Sequence, residues 1–524
     1  MRERLTSSSL ATLDRALRFG DLVVLPSEID VRKQTEVGKT LAREPWALRL
    51  AGSKGGYEFM PWILTHDLRK KYEEYRMRNR REPRWMRRMP SEFRRHARFS
   101  YYLGDGFDPF AIVLNIPYTG VGYAVEEGGL MEDTFHTFRL GRLGNIRQLA
   151  YLHDPLSEGL AMRFDQTRYC HVLDVMALAT LMASRNGLPK REIRTLRVAA
   201  FTHDVLTPAG GDTTKTVDRK AFDEDLHYEE AFERFAAEPF LRRHRLSKKR
   251  LVDVIHNRGV LGKLLDLADK IAYVGRDAES YIHRVHPTVF RERERYPPSY
   301  RRLRKLVFRE FPTVCGLWDS VVVDGDRVIV TDGERLGAFL ELRARLFRDL
   351  YYSPAARFLE HTVASVIIRD LYETGILTRE RLLTMEDWEL DSEIQRVSGF
   401  HHVSGMVVLG QDHAFVETFK TREEVERRED ELEREGNYMV LVEEFVGATG
   451  NGTKIQTARN GRVASFAELY PERAECLDNI MKNNKPYRLY YFPIKGEAFT
   501  PWFYEAMARY RTRRAEARRM RQQG

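Results

Sequence analysis

Val198-Ala-Ala-Phe-Thr-His203-Asp204-Val-Leu206 is the stretch on which the reading of the fold turns. An apolar helical run delivers an imidazole and a carboxylate side by side at its end. Upstream, Thr167-Arg168-Tyr-Cys-His171 opens another apolar helix. Downstream, Leu264-Leu-Asp-Leu-Ala-Asp269-Lys270-Ile-Ala-Tyr273 carries a further carboxylate. Two imidazoles and two carboxylates, His171, His203, Asp204 and Asp269, can bind one divalent cation. Their mix of borderline nitrogen and hard oxygen suits Mn, Fe, Mg or Zn. The bland alternative is a helix-end pair that holds no metal. The dipeptides His66-Asp67 and His153-Asp154 and the reversed Asp412-His413 read as loop or surface pairs.

Bulk properties bound the rest. A chain of 524 residues, 43% hydrophobic and 11% aromatic, can bury a large core and on length alone divides into about two to four domains. The net charge of +9 suits polyanionic ligands, either nucleotides or nucleic acid. Cys170, Cys315 and Cys476 are odd in number and far apart, which fits a reduced, cytoplasmic protein with no disulfide frame. No run reaches transmembrane length. The basic start Met1-Arg-Glu-Arg4 lacks the apolar core of a secretory signal. No membrane association is expected.

Residues 1–130 read as a mixed N-terminal extension, with a strand at Leu22-Val-Val-Leu25. Between Arg69 and Arg98, thirteen Lys or Arg stand against four Glu, interleaved with Tyr72, Tyr75, Trp85 and Phe93. Such a segment can track a phosphate backbone and stack bases, or be a solvated pair of amphipathic helices. A strand is expected within Asp108–Pro117, then turns around Gly120, Gly122, Gly128 and Gly129.

Residues 131–400 read as a helical core. Phe138 to Leu149 repeats apolar residues at helical spacing. Asn186-Gly187-Leu-Pro189 stops one helix, and Glu192–Thr202 forms the next. Thr207 to Lys215 reads as a loop. Val321–Val330 is a hairpin with an Asp324-Gly325 turn, and Glu334–Thr374 is helical. Residues 401–510 form an α+β module, with strands at 401–409, 438–446 and 487–494 around a charged helix at Thr421–Glu435. A basic tail, 511–524, ends the chain and is expected to fray or to touch nucleic acid. The fold class is mainly α: a helical core, a small α+β C-terminal module and a mixed N-terminal extension.

The H…HD…D pattern resembles that of the HD phosphohydrolase superfamily. Residues from about 134 to 400 resemble its deoxynucleoside triphosphate triphosphohydrolase branch, which includes bacterial dGTPases and the vertebrate sterile-alpha-motif-and-HD dNTPase. Four matches carry this: Phe138-Arg-Leu…Ile146-Arg-Gln148-Leu149 with Arg168-x-x-His171; Phe201-Thr-His203-Asp204; Leu226-His227-x-Glu229; and Ala268-Asp269-Lys270-x-x-Tyr273-x-x-Arg276-Asp277. The resemblance implies that His171, His203, Asp204 and Asp269 hold the metal. It implies that Arg168 and Lys270 contact phosphates, and that Gln148 and Asp277 bond the sugar 3′-hydroxyl; in the enzyme reading Lys215 also offsets triphosphate charge. Leu149 and Tyr273 would crowd the sugar. Arg345, Tyr351 and Tyr352 lie where relatives place further nucleotide contacts. A homo-oligomer is also implied. Independently, Asp269, Tyr273 and Asp277 are four residues apart and share one helix face. The bland reading makes Tyr273 core and Asp277 an ion-pair partner.

One departure stands out. Relatives follow HD with a histidine-rich loop that supplies a catalytic histidine, and this chain has none there. By count Asp212 takes that place, and burial could raise its pKa enough for a general acid. His227, with Glu230 beside it, is the second candidate. The implied reaction is attack of a metal-bound water on the α-phosphorus of a dNTP, giving deoxynucleoside and triphosphate. The alternatives are an HD phosphohydrolase for a nucleoside monophosphate, an alarmone or a phosphodiester, and a catalytically altered nucleotide- or nucleic-acid-binding protein.

Overall fold

The computed structural model describes residues 49–53, 56–59, 113–116, 121–124, 130–151, 167–284, 317–352, 354–398, 415–444, 451–482, 486–493 and 500–523. The expected strands at 22–25 and 401–409 and the basic segment 69–98 lie outside these residues.

Two hairpins precede the core: β1 (Arg49–Ser53) with β2 (Gly56–Phe59), and β3 (Val113–Ile116) with β4 (Val121–Ala124). The strand expected within Asp108–Pro117 is therefore present as β3. Gly122 lies in β4 opposite Asn115 rather than in a turn.

The core begins with α1 (Leu130–Thr137) and a 3-10 turn at Leu140–Asn145. Phe138–Leu149 does not make the α-helix its spacing suggests. Arg139 adopts a left-handed conformation, Ile146 is extended, and Arg147 bridges Thr167. Gly141 and Gly144 weaken any helix there. The apolar positions are still buried, so the periodicity marks the core and misassigns the backbone.

The helix α2 (Arg168–Arg185) is buried on every side from His171 to Ala183. A helix without a polar face belongs at the centre of a core. Thr167 caps it by accepting from the Cys170 amide at 3.3 Å. Gly187, at φ 65°, turns the chain into α3 (Lys190–Thr202). Then come α4 (Gly211–Lys215), α5 (Glu224–Arg234), α6 (Lys248–Ile255) and α7 (Gly259–Arg284). Both α3 and α7 pack on α2, and α6 covers the pair. The α4 helix replaces the second half of the expected loop. Gly210, at φ 76°, opens it, the Thr214 hydroxyl donates back to the Ala209 carbonyl at 2.5 Å, and Asp212 stands in the first turn.

The expected hairpin is β5 (Val321–Asp324) and β6 (Arg327–Val330), turning through Gly325 at φ 60°. It leads to α8 (Gly333–Leu346), where a π-helical stretch, Phe347–Tyr351, interrupts the expected long helix; α9 (Asp387–Ser398) follows. Nearer the C-terminus, β7 (Phe415–Phe419), β8 (Tyr438–Glu444) and β11 (Tyr487–Pro493) form an antiparallel sheet in the order β7-β11-β8. It is covered by α10 (Arg422–Glu435), which carries the Thr421–Glu424 capping box. Between β8 and β11, β9 (Gln456–Arg459) and β10 (Arg462–Ser465) extend the β5–β6 hairpin, with β9 parallel to β6.

The basic tail is docked rather than frayed. It is α11 (Pro501–Gln523), with Phe503, Ala506, Met507 and Tyr510 buried. Arg509 pairs with the buried Asp370, and Arg514 and Arg518 both pair with the buried Glu429 of α10. Charge counting overlooked the matching acidic helix. Among the described residues, no helix is long and apolar enough to cross a membrane.

Candidate metal centre

Three helices bring the chemistry together. The first turn of α2 carries Arg168 and His171, the end of α3 carries His203 and Asp204, and the middle of α7 carries Asp269. One donor atom each from His171, His203 and Asp269 lies within 4.8 Å of the others. The His171 and His203 Nε2 atoms are 3.3 Å apart, and Asp269 Oδ1 is 2.9 Å from the first and 3.9 Å from the second. A cation held at about 2.1 Å from each nitrogen spans such a gap. His203 Nδ1 donates to the Ala200 carbonyl at 2.8 Å, which leaves Nε2 as the ligand atom. The donor set therefore fits a divalent metal.

Asp204 stands 3.8 Å from His171 Nε2 and 3.7 Å from His203 Nε2, and its Oδ2 accepts from Arg168 at 3.0 Å. It is at the rim of the three-donor group. Burial opposes its ionisation, but Arg168 and the two imidazoles outweigh that and hold its pKa far below the ordinary carboxylate value. Asp269 is likewise held low against burial by His171 and His203. Burial would lower the His171 pKa, but bonding to Asp269 raises it overall. The carboxylates are held in the ionised form a cation needs, and Asp269 favours a proton on His171 that a cation would displace.

The fold has solved counterparts. It is the fold of a phosphohydrolase from Bacteroides thetaiotaomicron, with a TM-score of 0.51 and 13% identity over 73% of this chain and 99% of that one. A hypothetical protein from Aquifex aeolicus shares it, with a TM-score of 0.50 and 16% identity over 74% of this chain and 96% of that one. No family model matches the chain, and no curated protein does. At these identities the likeness is one of fold.

Around the metal group the other singled-out residues divide. Arg168 reaches both Asp204 and Asp212, the latter at 2.7 Å. Lys215 bonds Asp212 at 3.0 Å and also pairs with Glu224. Gln148 and Asp277 are buried, and Gln148 Oε1 and Asp277 Oδ1 have no hydrogen-bond partner. The other Asp277 oxygen accepts from the Tyr351 hydroxyl. Burial raises the Asp277 pKa to about 6 despite that bond. The Tyr273 hydroxyl accepts from Arg343 Nε, and Leu149 packs half-buried against the core. Lys270 pairs with Asp266 one turn back on α7. Arg345 is 3.5 Å from Glu341, and Tyr352 lies against Phe347.

The three candidate proton carriers fare differently. Burial alone would raise the Asp212 pKa, but Arg168 and Lys215 hold it at about 2. Its condition for acting as a general acid is not met, because it is ionised at neutral pH. His227 places Nδ1 2.5 Å from Glu230 and Nε2 2.6 Å from the Lys220 carbonyl. Glu230 also accepts from Arg379 at 2.9 Å.

Sequence reasoning missed the support of the 205–212 segment. Asp387 of α9 accepts from the Arg147 amide at 2.8 Å and from the Gly210 amide at 2.7 Å. Arg142 donates to the Met385, Val205 and Thr207 carbonyls. No local signal joins residues this far apart. Arg343 was recoverable, since it precedes Tyr351 by two helical turns.

Proposed function

We propose that the chain is a metal-dependent HD-type phosphohydrolase that takes a deoxynucleoside triphosphate. The observation that carries the reading is the meeting of His171, His203 and Asp269 from three helices, with Arg168 directly behind Asp204. When bound, a divalent cation there supplies an acidified water and a Lewis acid for a phosphoryl oxygen. Arg168 and Lys215 offset phosphate charge. The unbonded oxygens of Gln148 and Asp277 are suited to accept from a ligand hydroxyl, such as that of a sugar. Asp269, held ionised, would join the two imidazoles as a ligand, with Asp204, also held ionised, at the rim of the group.

Asp212 does not serve as the acid in this reading. His227, oriented by Glu230, protonates the leaving 5′-oxygen after releasing the Lys220 carbonyl.

The test is product analysis with Mn, Mg, Fe or Zn across the four dNTPs, a nucleoside monophosphate, an alarmone and a phosphodiester. The expected result is deoxynucleoside plus inorganic triphosphate, with metal binding and turnover both lost in Asp269→Ala. Release of orthophosphate from a monophosphate alone would move the substrate class. Full turnover by Asp269→Ala would remove the metal assignment.

A further inference from the structure

Asp212 sits in an unusual position for a residue beside a phosphate site. Its carboxylate bonds two cations at once, Arg168 through Oδ2 at 2.7 Å and Lys215 through Oδ1 at 3.0 Å. Each cation also has a second carboxylate of its own. Arg168 is tied to Asp204 at 3.0 Å, and Lys215 is tied to Glu224. The side chains of Arg168, Asp204 and Glu224 are 6%, 4% and 10% exposed, and that of Lys215 is 20% exposed, whereas that of Asp212 is 49% exposed. So Asp212 can withdraw while both cations keep their orientation. It also stands at the start of a five-residue helix whose entry, Gly210-Gly211, is in positive φ.

We infer that Asp212 is an internal stand-in for a substrate phosphate, occupying Arg168 and Lys215 until a ligand phosphate displaces it. This rests on the phosphohydrolase reading of the same site. An anionic carboxylate with two oxygens mimics one edge of a phosphate group and satisfies the same donors. Being tethered, it competes at an effective concentration of the order of millimolar or more. A ligand therefore has to offer enough contacts elsewhere, on the metal or through further phosphates, to win the exchange. The device weakens every anion by about the same factor, so at a given concentration only ligands with further contacts, polyphosphates and metal-chelating anions, still occupy the site.

The experiment uses the full chain loaded with Mn²⁺ and compares wild type with Asp212→Asn. Binding of orthophosphate and of inorganic tripolyphosphate is measured by calorimetry, with Mn²⁺ content determined in parallel. Loss of the competing charge should tighten both anions by about two- to fivefold, the range of a half-exposed ion pair. The two gains should be similar, because the same contact is displaced in each case. Unchanged or weaker binding in Asp212→Asn overturns the inference. So does a gain that grows steeply with ligand charge, which marks a repulsive neighbour that never leaves. In a structure of the wild-type protein with tripolyphosphate, Asp212 should have left both cations. Asp212 still bonded to Arg168 and Lys215 in that complex overturns the inference even if the variant fails to fold. Loss of Mn²⁺ and of both anions from the wild type as well would instead defeat the phosphohydrolase reading, and the inference with it.

Discussion

The Nε2 atoms of His171 and His203 lie 3.3 Å apart, close enough for one cation to bridge them. The Asp269 carboxylate, 2.9 Å from His171 Nε2, favours a proton on His171. A divalent cation should replace it. Saturating Mn²⁺ at about 100 times its dissociation constant should stabilise the fold by about 2.7 kcal/mol. Thermal melts should rise in wild type and stay put in His171→Ala or Asp269→Ala. Because the proton must leave, metal affinity should climb with pH, and the climb should continue above the range of an ordinary histidine, since the His171 pKa is raised. The metal-free protein has the opposite slope from this group. A raised folded pKa gives stability that is complete below the unfolded value and is lost as pH rises through the folded one. Calorimetric titrations between pH 5 and 8, about one unit apart, check both signs.

Asp277 carries a second pH signature. Its folded pKa of about 6 lies above the ordinary carboxylate value. Its contribution is therefore full at acidic pH and disappears as pH rises through about 6, leaving a buried charge with one oxygen unbonded. Asp277→Asn keeps an oxygen for the Tyr351 hydroxyl and removes the charge. It should be more stable than wild type by roughly 3 kcal/mol at pH 8 and by about half that at pH 5, since pH 5 already lies above the unfolded carboxylate value. Urea denaturation at the two pH values measures the difference. If Asp277 accepts from a sugar hydroxyl, the same variant should lose affinity for substrate while gaining stability.

The legible part of this protein was whatever repeats at short range. The apolar run into His203-Asp204, the i,i+4 row Asp269, Tyr273 and Asp277, the stop at Asn186-Gly187 and the Asp324-Gly325 hairpin follow from spacing, and each appears in the structure. Phe138–Leu149 misled because burial of Phe138, Leu140, Leu143 and Ile146 has helical spacing without an α-helical backbone. Asp212 misled for another reason. Its ionisation is fixed by Arg168 and Lys215, and the first of these is 44 residues away. The docked tail depends on Glu429 and Asp370, at still larger separations. Charge state and docking are pair properties, and a single sequence does not reveal the pairs.

Asp387 should matter more than its position suggests. It is 3% exposed and its two oxygens accept from the Gly210 amide and from Arg147 through both its amide and Nε. Asp387→Ala strands the Arg147 and Gly210 backbone donors and removes one of the two carboxylates of the part-exposed Arg147 guanidinium, which keeps Asp391. The expected cost is about 2–3 kcal/mol, read as a lower urea midpoint. Since Gly210 opens the helix that carries Asp212, anion binding should weaken as well. Asp387→Asn, which retains one acceptor, should recover part of both losses.

The glycine at that junction gives the sharpest local comparison. Gly210 has φ 76°, and a Cβ there would sit 2.5 Å from Thr214 Oγ1 and 3.0 Å from a Leu390 methyl. Thr214 cannot swing away freely, because its hydroxyl bonds the Ala209 carbonyl. Gly187 has a similar φ of 65° with nothing within 4 Å of the added carbon. Both alanine substitutions incur the left-handed backbone strain, of order 1–2 kcal/mol. Only Gly210→Ala adds a clash and displaces α4. Gly187→Ala should therefore cost about 1 kcal/mol with Mn²⁺ and anion binding intact. Gly210→Ala should cost at least about 2 kcal/mol more and should weaken tripolyphosphate binding, because Lys215 and Asp212 move with the helix. Equal losses in the two variants would mean that α4 shifts freely, and that its side chains are not held in register with Arg168 by the backbone at Gly210.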